Sequence, residues 1–201
     1  MKRILVFFLF SLGITLLPSL TGRGLGVGLL YAQKGAPEGL MKEIRTKYAE
    51  AWQMANEQLR DDVTPNKNYM TATLRYVIPG CGQTNETLCY YYMLDDDNES
   101  GEMAYCLYLV TRKYNVAARQ FYEEYLYNPT TGKALFVYKK YDSYEGDGTK
   151  PAEERYYLDN EQVVWRTVSE NAETDSDSDA RVQKECYAQR MGFTHIVNHS
   201  F

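Results

Sequence analysis

The sequence predicts an α+β fold: an N-terminal amphipathic helix packed on an antiparallel meander sheet of six to seven strands, followed by a short C-terminal helix. Three observations carry this. Between Gly39 and Arg60 apolar residues recur at three- and four-residue spacing, the mark of a helix with one buried face. From Tyr69 onward the period drops to two, in segments rich in Tyr, Val, Thr and Leu, the residues that fit a pleated, half-buried surface. The connectors between those segments are too short for a crossover helix, so successive strands pair antiparallel.

The helix carries Met41, Ile44, Tyr48, Ala51, Trp52, Ala55 and Leu59 on one side and Lys42, Glu43, Lys47, Glu50 and Glu57 on the other, and should stop before Pro65. Its stripe needs a sheet to cover. The expected strands are Tyr69–Ile78, Thr87–Leu94, Met103–Arg112, Gln120–Tyr127, Ala134–Tyr141, Glu154–Leu158 and Gln162–Val168. Pro79-Gly80-Cys81-Gly82 breaks the first strand, the acidic run Asp95 to Gly101 joins the second to the third, and Asn128-Pro129-Thr130-Thr131-Gly132 is a hairpin loop. Asp159-Asn160 reads as a tight two-residue turn. Ser169 to Asp179 reads as an acidic loop, and Ala180 to Met191 as a short helix stopped by Gly192, after which Phe193, Ile196, Val197 and Phe201 dock.

The first 32 of the 201 residues read as an export signal. Met1-Lys2-Arg3 is a positive start, Ile4 to Leu20 is an uncharged apolar run, and cleavage is expected near Ala32. The rival is a retained anchor, but 17 residues containing Gly13 and Pro18 sit at the lower limit for a spanning helix. The expected organisation is therefore 1–32 signal peptide, 33–168 helix-plus-sheet domain, and 169–201 acidic loop and C-terminal segment. After cleavage no stable membrane span remains, and the protein is expected to be secreted or periplasmic. The formal charge is -5; cleavage removes Lys2, Arg3 and Arg23 and no acid, leaving 19 basic against 27 acidic residues, a net of -8. Nucleic acid is excluded as a partner, because neutralising phosphates supplies most of that affinity.

Tyrosine is the unusual residue, 19 against 7 Phe and 2 Trp. Alternation along strands sends about half of them to each sheet face. Such rings either fill the sheet face, burying a ring while the hydroxyl reaches water, or form an aromatic platform for a ligand. Tyr90, Tyr92, Tyr122, Tyr138 and Tyr157 are the candidate ligand-binding residues on the platform reading. Cys81, Cys89, Cys106 and Cys186 are disulfide candidates in an oxidising compartment. Cys81–Cys89 with Cys106–Cys186 is one arrangement, and Cys89–Cys106 across neighbouring strands is a competitor.

Other chemistry lacks parts. Cys186, His195 and His199 have no fourth partner for zinc, and calcium-loop templates started at Asp96 or Asp175 fail at the bidentate ligand. No metal site and no cofactor is expected. Glu123-Glu124 and Glu153-Glu154 are neighbours on strands, so each pair splits between opposite faces and cannot flank one glycosidic bond. There is no nucleophile elbow, phosphate loop or dinucleotide fingerprint, and no residue set recommends itself as catalytic.

The helix EIRTKYAEAWQMAN, the segment YLVTRKYNVAARQFYEEYLYN, the strand LFVYKKYDSYEG and the hairpin ERYYLDNEQVVW together resemble uncharacterised secreted proteins of gut-dwelling Gram-negative anaerobes, over roughly residues 38–168. That group has no assigned activity, so the resemblance implies a compartment and no site residues. The functional expectation is an exported, non-enzymatic binding module that takes a glycan or protein partner on a tyrosine-rich sheet face. The alternatives are a hydrolase-type enzyme whose carboxylates meet only in the fold, or a structural component of an envelope assembly.

Overall fold

A computed structural model describes residues 37–60, 68–95, 104–144 and 151–200. The export signal, the Asp96–Gly101 loop and its calcium template, Pro65 and Phe201 lie outside the described residues. Helix α1 spans Glu38–Leu59 and helix α2 spans Ser178–Ser200. Between them run β1 (Tyr69–Ile78), β2 (Gly82–Asp95), β3 (Ala104–Val116), β4 (Arg119–Tyr127), β5 (Ala134–Tyr141), β6 (Ala152–Asp159) and β7 (Gln162–Val168). The seven strands form one antiparallel sheet in sequential order, the expected meander. Among the described residues no helix is long and apolar enough to cross a membrane.

The two helices lie on opposite faces of the sheet. Met41, Ile44, Ala51 and Ala55 of α1 pack on Tyr91, Tyr108, Leu109, Leu126, Phe136 and Tyr157. Ala51 and Ala55 lie almost wholly buried; residues this small let the helix axis come close to the strands. On the other face Val182, Cys186 and Phe193 of α2 pack on Tyr90, Tyr92, Val110, Tyr125, Tyr127, Val137 and Tyr156. The two tyrosine faces of the sheet therefore become two cores.

Each turn follows its local chemistry. Gly80 and Gly82 hold φ of 81° and 88° in the β1–β2 turn, a region that favours glycine. Asn128 accepts hydrogen bonds from the Thr130 and Thr131 backbone N–H groups at 3.0 and 3.2 Å. The β6–β7 turn is Asn160-Glu161, one residue later than expected, with both φ positive at 49° and 65°, the type I′ geometry whose twist matches the flanking strands.

Gly192 does not end the C-terminal helix, which continues to Ser200. A Cβ at this position would lie 3.1 Å from the Tyr90 hydroxyl, so the glycine marks where helix and strand nearly touch. The acidic stretch before α2 is also ordered into contacts. Glu173 accepts from the Tyr144 backbone N–H at 2.7 Å and pairs with Arg119 at 2.8 Å. The Asp175 carboxylate, first in the calcium template, accepts from the Asp177 N–H at 3.0 Å and pairs with Arg181 at 2.6 Å.

No disulfide forms: all four cysteines are free. The residues expected to form a loop between Cys81 and Cys89 instead belong to β2. Cys81 sits in the turn, and eight residues of strand, roughly 26 Å at 3.3 Å each, separate the two. Cys89 faces Thr111 across β3, five residues from Cys106, which removes that competitor too. Cys106 is the register partner of Met93, which packs on the α1 side, whereas Cys186 is buried in the α2 core. The sheet itself stands between them.

Candidate ligand-binding surface

The polar groups of the two faces differ in what they are free to do. On the α2 face, register places Arg112, Glu123, Lys139 and Glu154 side by side across β3 to β6, a row of alternating charge. Arg112 pairs with Glu86 at 2.6 Å and with Glu123 at 3.2 Å. Lys139 pairs with Glu185 of α2 at 2.5 Å and lies 3.9 Å from Glu123.

Tyrosine hydroxyls take up the remaining acceptor capacity. Tyr114 and Tyr125 donate to the two oxygens of Glu123 at 3.0 and 2.6 Å. Tyr141 and Tyr156 donate to the two oxygens of Glu154, each at 2.5 Å. Tyr76 donates to Glu86 at 2.8 Å. Burial alone would raise the Glu86 carboxyl, but hydrogen bonds from Arg112 and Tyr76 outweigh it and hold the group below its ordinary range. Burial pushes Glu185 the other way, upward, against the pull of Lys139.

A cleft of about 180 Å³ opens here beside the first turns of α2, lined among others by Glu123, Lys139, Glu154, Arg181 and Glu185. Glu123 and Glu154 are the distant carboxylates that only the fold could bring to one face. Both oxygens of each already accept hydrogen bonds, so neither presents a free oxygen to a substrate.

On the α1 face, helix α1 covers only part of the sheet. Beyond it Gln83, Asn85 and Thr87 of β2 are exposed while the alternating Thr84, Glu86 and Leu88, which point to the α2 side, are buried. Two register rows cross this open area. One runs Lys113, Tyr122, Lys140, Glu153, and the next runs Thr111, Glu124, Tyr138, Arg155. The Tyr122 and Tyr138 rings meet edge to face at 6.4 Å, a favoured aromatic geometry. Arg155 lies 5.1 Å from the Tyr138 ring centre and Lys113 lies 5.6 Å from that of Tyr122.

The Tyr122 ring is held from below. Buried Glu124 accepts a hydrogen bond from the Tyr122 hydroxyl at 2.6 Å, from Trp52 Nε1 at 3.4 Å, and from the Tyr48 hydroxyl. Burial and this carboxylate push the Tyr122 phenol up. Burial and Glu153 raise that of Tyr138 to about 12, so both remain neutral donors at physiological pH. Arg155 pairs with Glu153 at 2.7 Å and holds that carboxyl below its ordinary range. A groove of about 250 Å³ runs over Lys113, Gln120, Tyr122 and Lys140.

The five candidate tyrosines thus divide. Tyr90 and Tyr92 are 3% and 7% exposed and pack on Phe193 of α2 at 5.9 and 5.8 Å. Tyr157 is 4% exposed and packs on Phe136 beneath α1 at 5.1 Å. These three rings build the cores and have no face to offer a ligand. Only Tyr122 and Tyr138 come together at the surface. Sequence reasoning missed their cationic neighbours Lys113, Lys140 and Arg155, which only the register of β3 to β6 assembles. The tyrosine–carboxylate bonds did leave a signal: Tyr122-x-Glu124, Glu123-x-Tyr125 and Glu154-x-Tyr156 each place both residues on one strand face.

Comparison of the chain with protein-family models, with curated proteins and with solved structures finds no match.

Proposed function

We propose that the protein is an exported, non-enzymatic binding module whose ligand is a glycan. The binding surface is the part of the α1 face that the helix leaves open. The observation that carries this reading is the Tyr122–Tyr138 pair: two rings in edge contact, Tyr122 bonded to Glu124, which in turn accepts from Tyr48 and Trp52 of α1, and lining an open groove. Sugars present apolar C–H faces and hydroxyl edges together. A half-buried ring with exposed Gln120, Lys113 and Lys140 around it answers both. Pre-held rings also lose little rotamer freedom on binding.

Affinity electrophoresis of the protein against a polysaccharide panel tests this. Retardation by at least one polysaccharide is expected, and it should vanish in Tyr122→Ala/Tyr138→Ala with the melting transition retained. A flat panel sinks the reading. Export is tested separately by cell fractionation and N-terminal sequencing of the mature chain, with Gln33 expected as the first residue.

One observation favours a hydrolase instead: the α2-face cleft gathers Glu123, Glu154 and Glu185 about Lys139. Turnover of chromogenic glycosides or esters, abolished by Glu154→Gln, would establish it. The occupied carboxylate oxygens weigh against it.

A further inference from the structure

We infer that the ligand of the Tyr122–Tyr138 surface is an anionic polysaccharide, one whose carboxylate or sulfate groups are taken by Lys113 and Lys140. This rests on the binding-module reading and names the class of ligand for the same surface.

The chain as a whole is acidic, with a formal charge of -5, yet three of the four register neighbours of the two rings are cations, Lys113, Lys140 and Arg155, and the fourth is the buried Glu124. Lys113 and Lys140 are the register partners of Tyr122 on its two sides. Their Cα atoms therefore stand about two strand spacings apart, roughly 9.6 Å, with the ring between.

Both lysines are exposed, and among the described residues neither forms an ion pair, in contrast to Lys139 on the other face. The acidic neighbours are already engaged. Glu153 is held by Arg155 at 2.7 Å, Glu124 by Tyr48, Trp52 and Tyr122, and Asp142 accepts the Gln120 backbone N–H at 2.9 Å. What remains for a ligand is two exposed ammonium groups in an open groove, Lys113 with its ammonium 5.6 Å from the Tyr122 ring centre and Lys140 across the strand from Glu153. A sugar ring lying on Tyr122 would bring its acidic substituents within reach of both.

The groove is open and not enclosed, which suits an extended chain better than a monosaccharide, because small-molecule sites are concave and bury most of their ligand. Two exposed lysines are too few for a polyphosphate backbone, whose density of charge demands many cations.

Isothermal titration of the protein with polygalacturonate and with its fully methyl-esterified form, alongside dextran sulfate, dextran and oligo(dT), tests the inference. The ester keeps the sugar backbone and replaces each carboxylate charge with a neutral methyl ester. Binding to polygalacturonate or dextran sulfate is expected to be about tenfold or more tighter than to the uncharged counterpart and to weaken with salt. In Lys113→Glu/Lys140→Glu that preference should disappear, and in Lys113→Arg/Lys140→Arg it should persist, with circular-dichroism melting curves unchanged in both.

Equal binding of charged and uncharged forms overturns the inference and leaves the glycan-binding reading standing. No binding to any polysaccharide overturns both. Oligo(dT) binding tighter than any polysaccharide assigns the surface to single-stranded nucleic acid and also overturns both.

Discussion

The two faces of the sheet are built from the same residue types and do different work. Under α2, tyrosines and carboxylates alternate with Arg112 and Lys139 in a row beside the first turns of the helix, and Arg112, Glu123, Lys139 and Glu154 all find partners inside the protein. On the α1 side the same chemistry continues past the end of the helix's cover. There Tyr122, Tyr138, Lys113 and Lys140 meet solvent. The lesson is that the tyrosine excess is not itself a binding signal. Seven of the 19 tyrosines supply hydroxyl donors to buried Glu86, Glu123, Glu124 and Glu154, solving the problem of placing carboxylates in a low-dielectric layer.

The comparison breaks most sharply at Arg112. Arg112→Met leaves Glu86 buried without its cation and Glu123 with only Lys139, at 3.9 Å, and should cost about 3–5 kcal/mol in urea denaturation, as removal of one partner of a buried pair does. A loss under about 1 kcal/mol would mean that the tyrosine hydroxyls alone satisfy those carboxylates.

Next in size is the helix–strand contact. Gly192→Leu forces a side chain toward the Tyr90 hydroxyl, and about 1–3 kcal/mol of stability should be lost, the usual cost of overpacking. Tyr90→Phe in the same background should restore part of it. Additive losses would show that the contact at Gly192 is not the cause.

A smaller effect appears with pH. The folded-state pKa of Glu86 is depressed, so its stabilising contribution is present above the unfolded carboxyl value and is lost as pH falls through the folded one. The stability gap between wild type and Glu86→Gln should therefore narrow as pH drops below the ordinary carboxylate range. Glu185 works in the opposite sense. Its folded pKa is raised, so relative to Glu185→Gln the wild type should gain stability on acidification and lose it as pH rises through the folded value. Denaturation curves across a pH series would separate the two.

The smallest effect on stability belongs to the open surface. Lys113→Glu/Lys140→Glu should shift stability by no more than about 0.5 kcal/mol, as surface changes usually do. A larger loss would mean that the lysines serve the fold. Thiol labelling gives an independent view of the same layering. Exposed Cys81 should react with iodoacetamide in the native state, while Cys186, pushed up to about 12 by burial, should react only on unfolding.

Much of the fold was legible. The bounds of β1, β5 and β7 follow directly from period-two patterning, because a strand flanked by clear turns has nowhere to slide. Where β2 departs, by starting at Gly82, the polar run Gln83 to Glu86 concealed a strand whose α1 side is wet and whose buried side carries Glu86. A carboxylate paired in the interior reads as loop when its partner Arg112 is 26 residues away. The reach of α2 was hidden by Gly192, since a glycine needed for close packing looks the same in sequence as one that ends a helix.

By itself, then, the sequence determined the α1 stripe, the strand succession and the antiparallel pairing, because these depend on periodicity and loop length, which are local. It also placed Glu123 and Glu124 on opposite faces, which needs only strand alternation. Only the tertiary structure decided which tyrosines are core and which are surface, that the four cysteines cannot pair, and that Lys113 and Lys140 flank Tyr122. Those outcomes depend on which helix covers which rows of the sheet and on register across four strands. No local pattern encodes either, because the residues concerned become neighbours only when the sheet has formed.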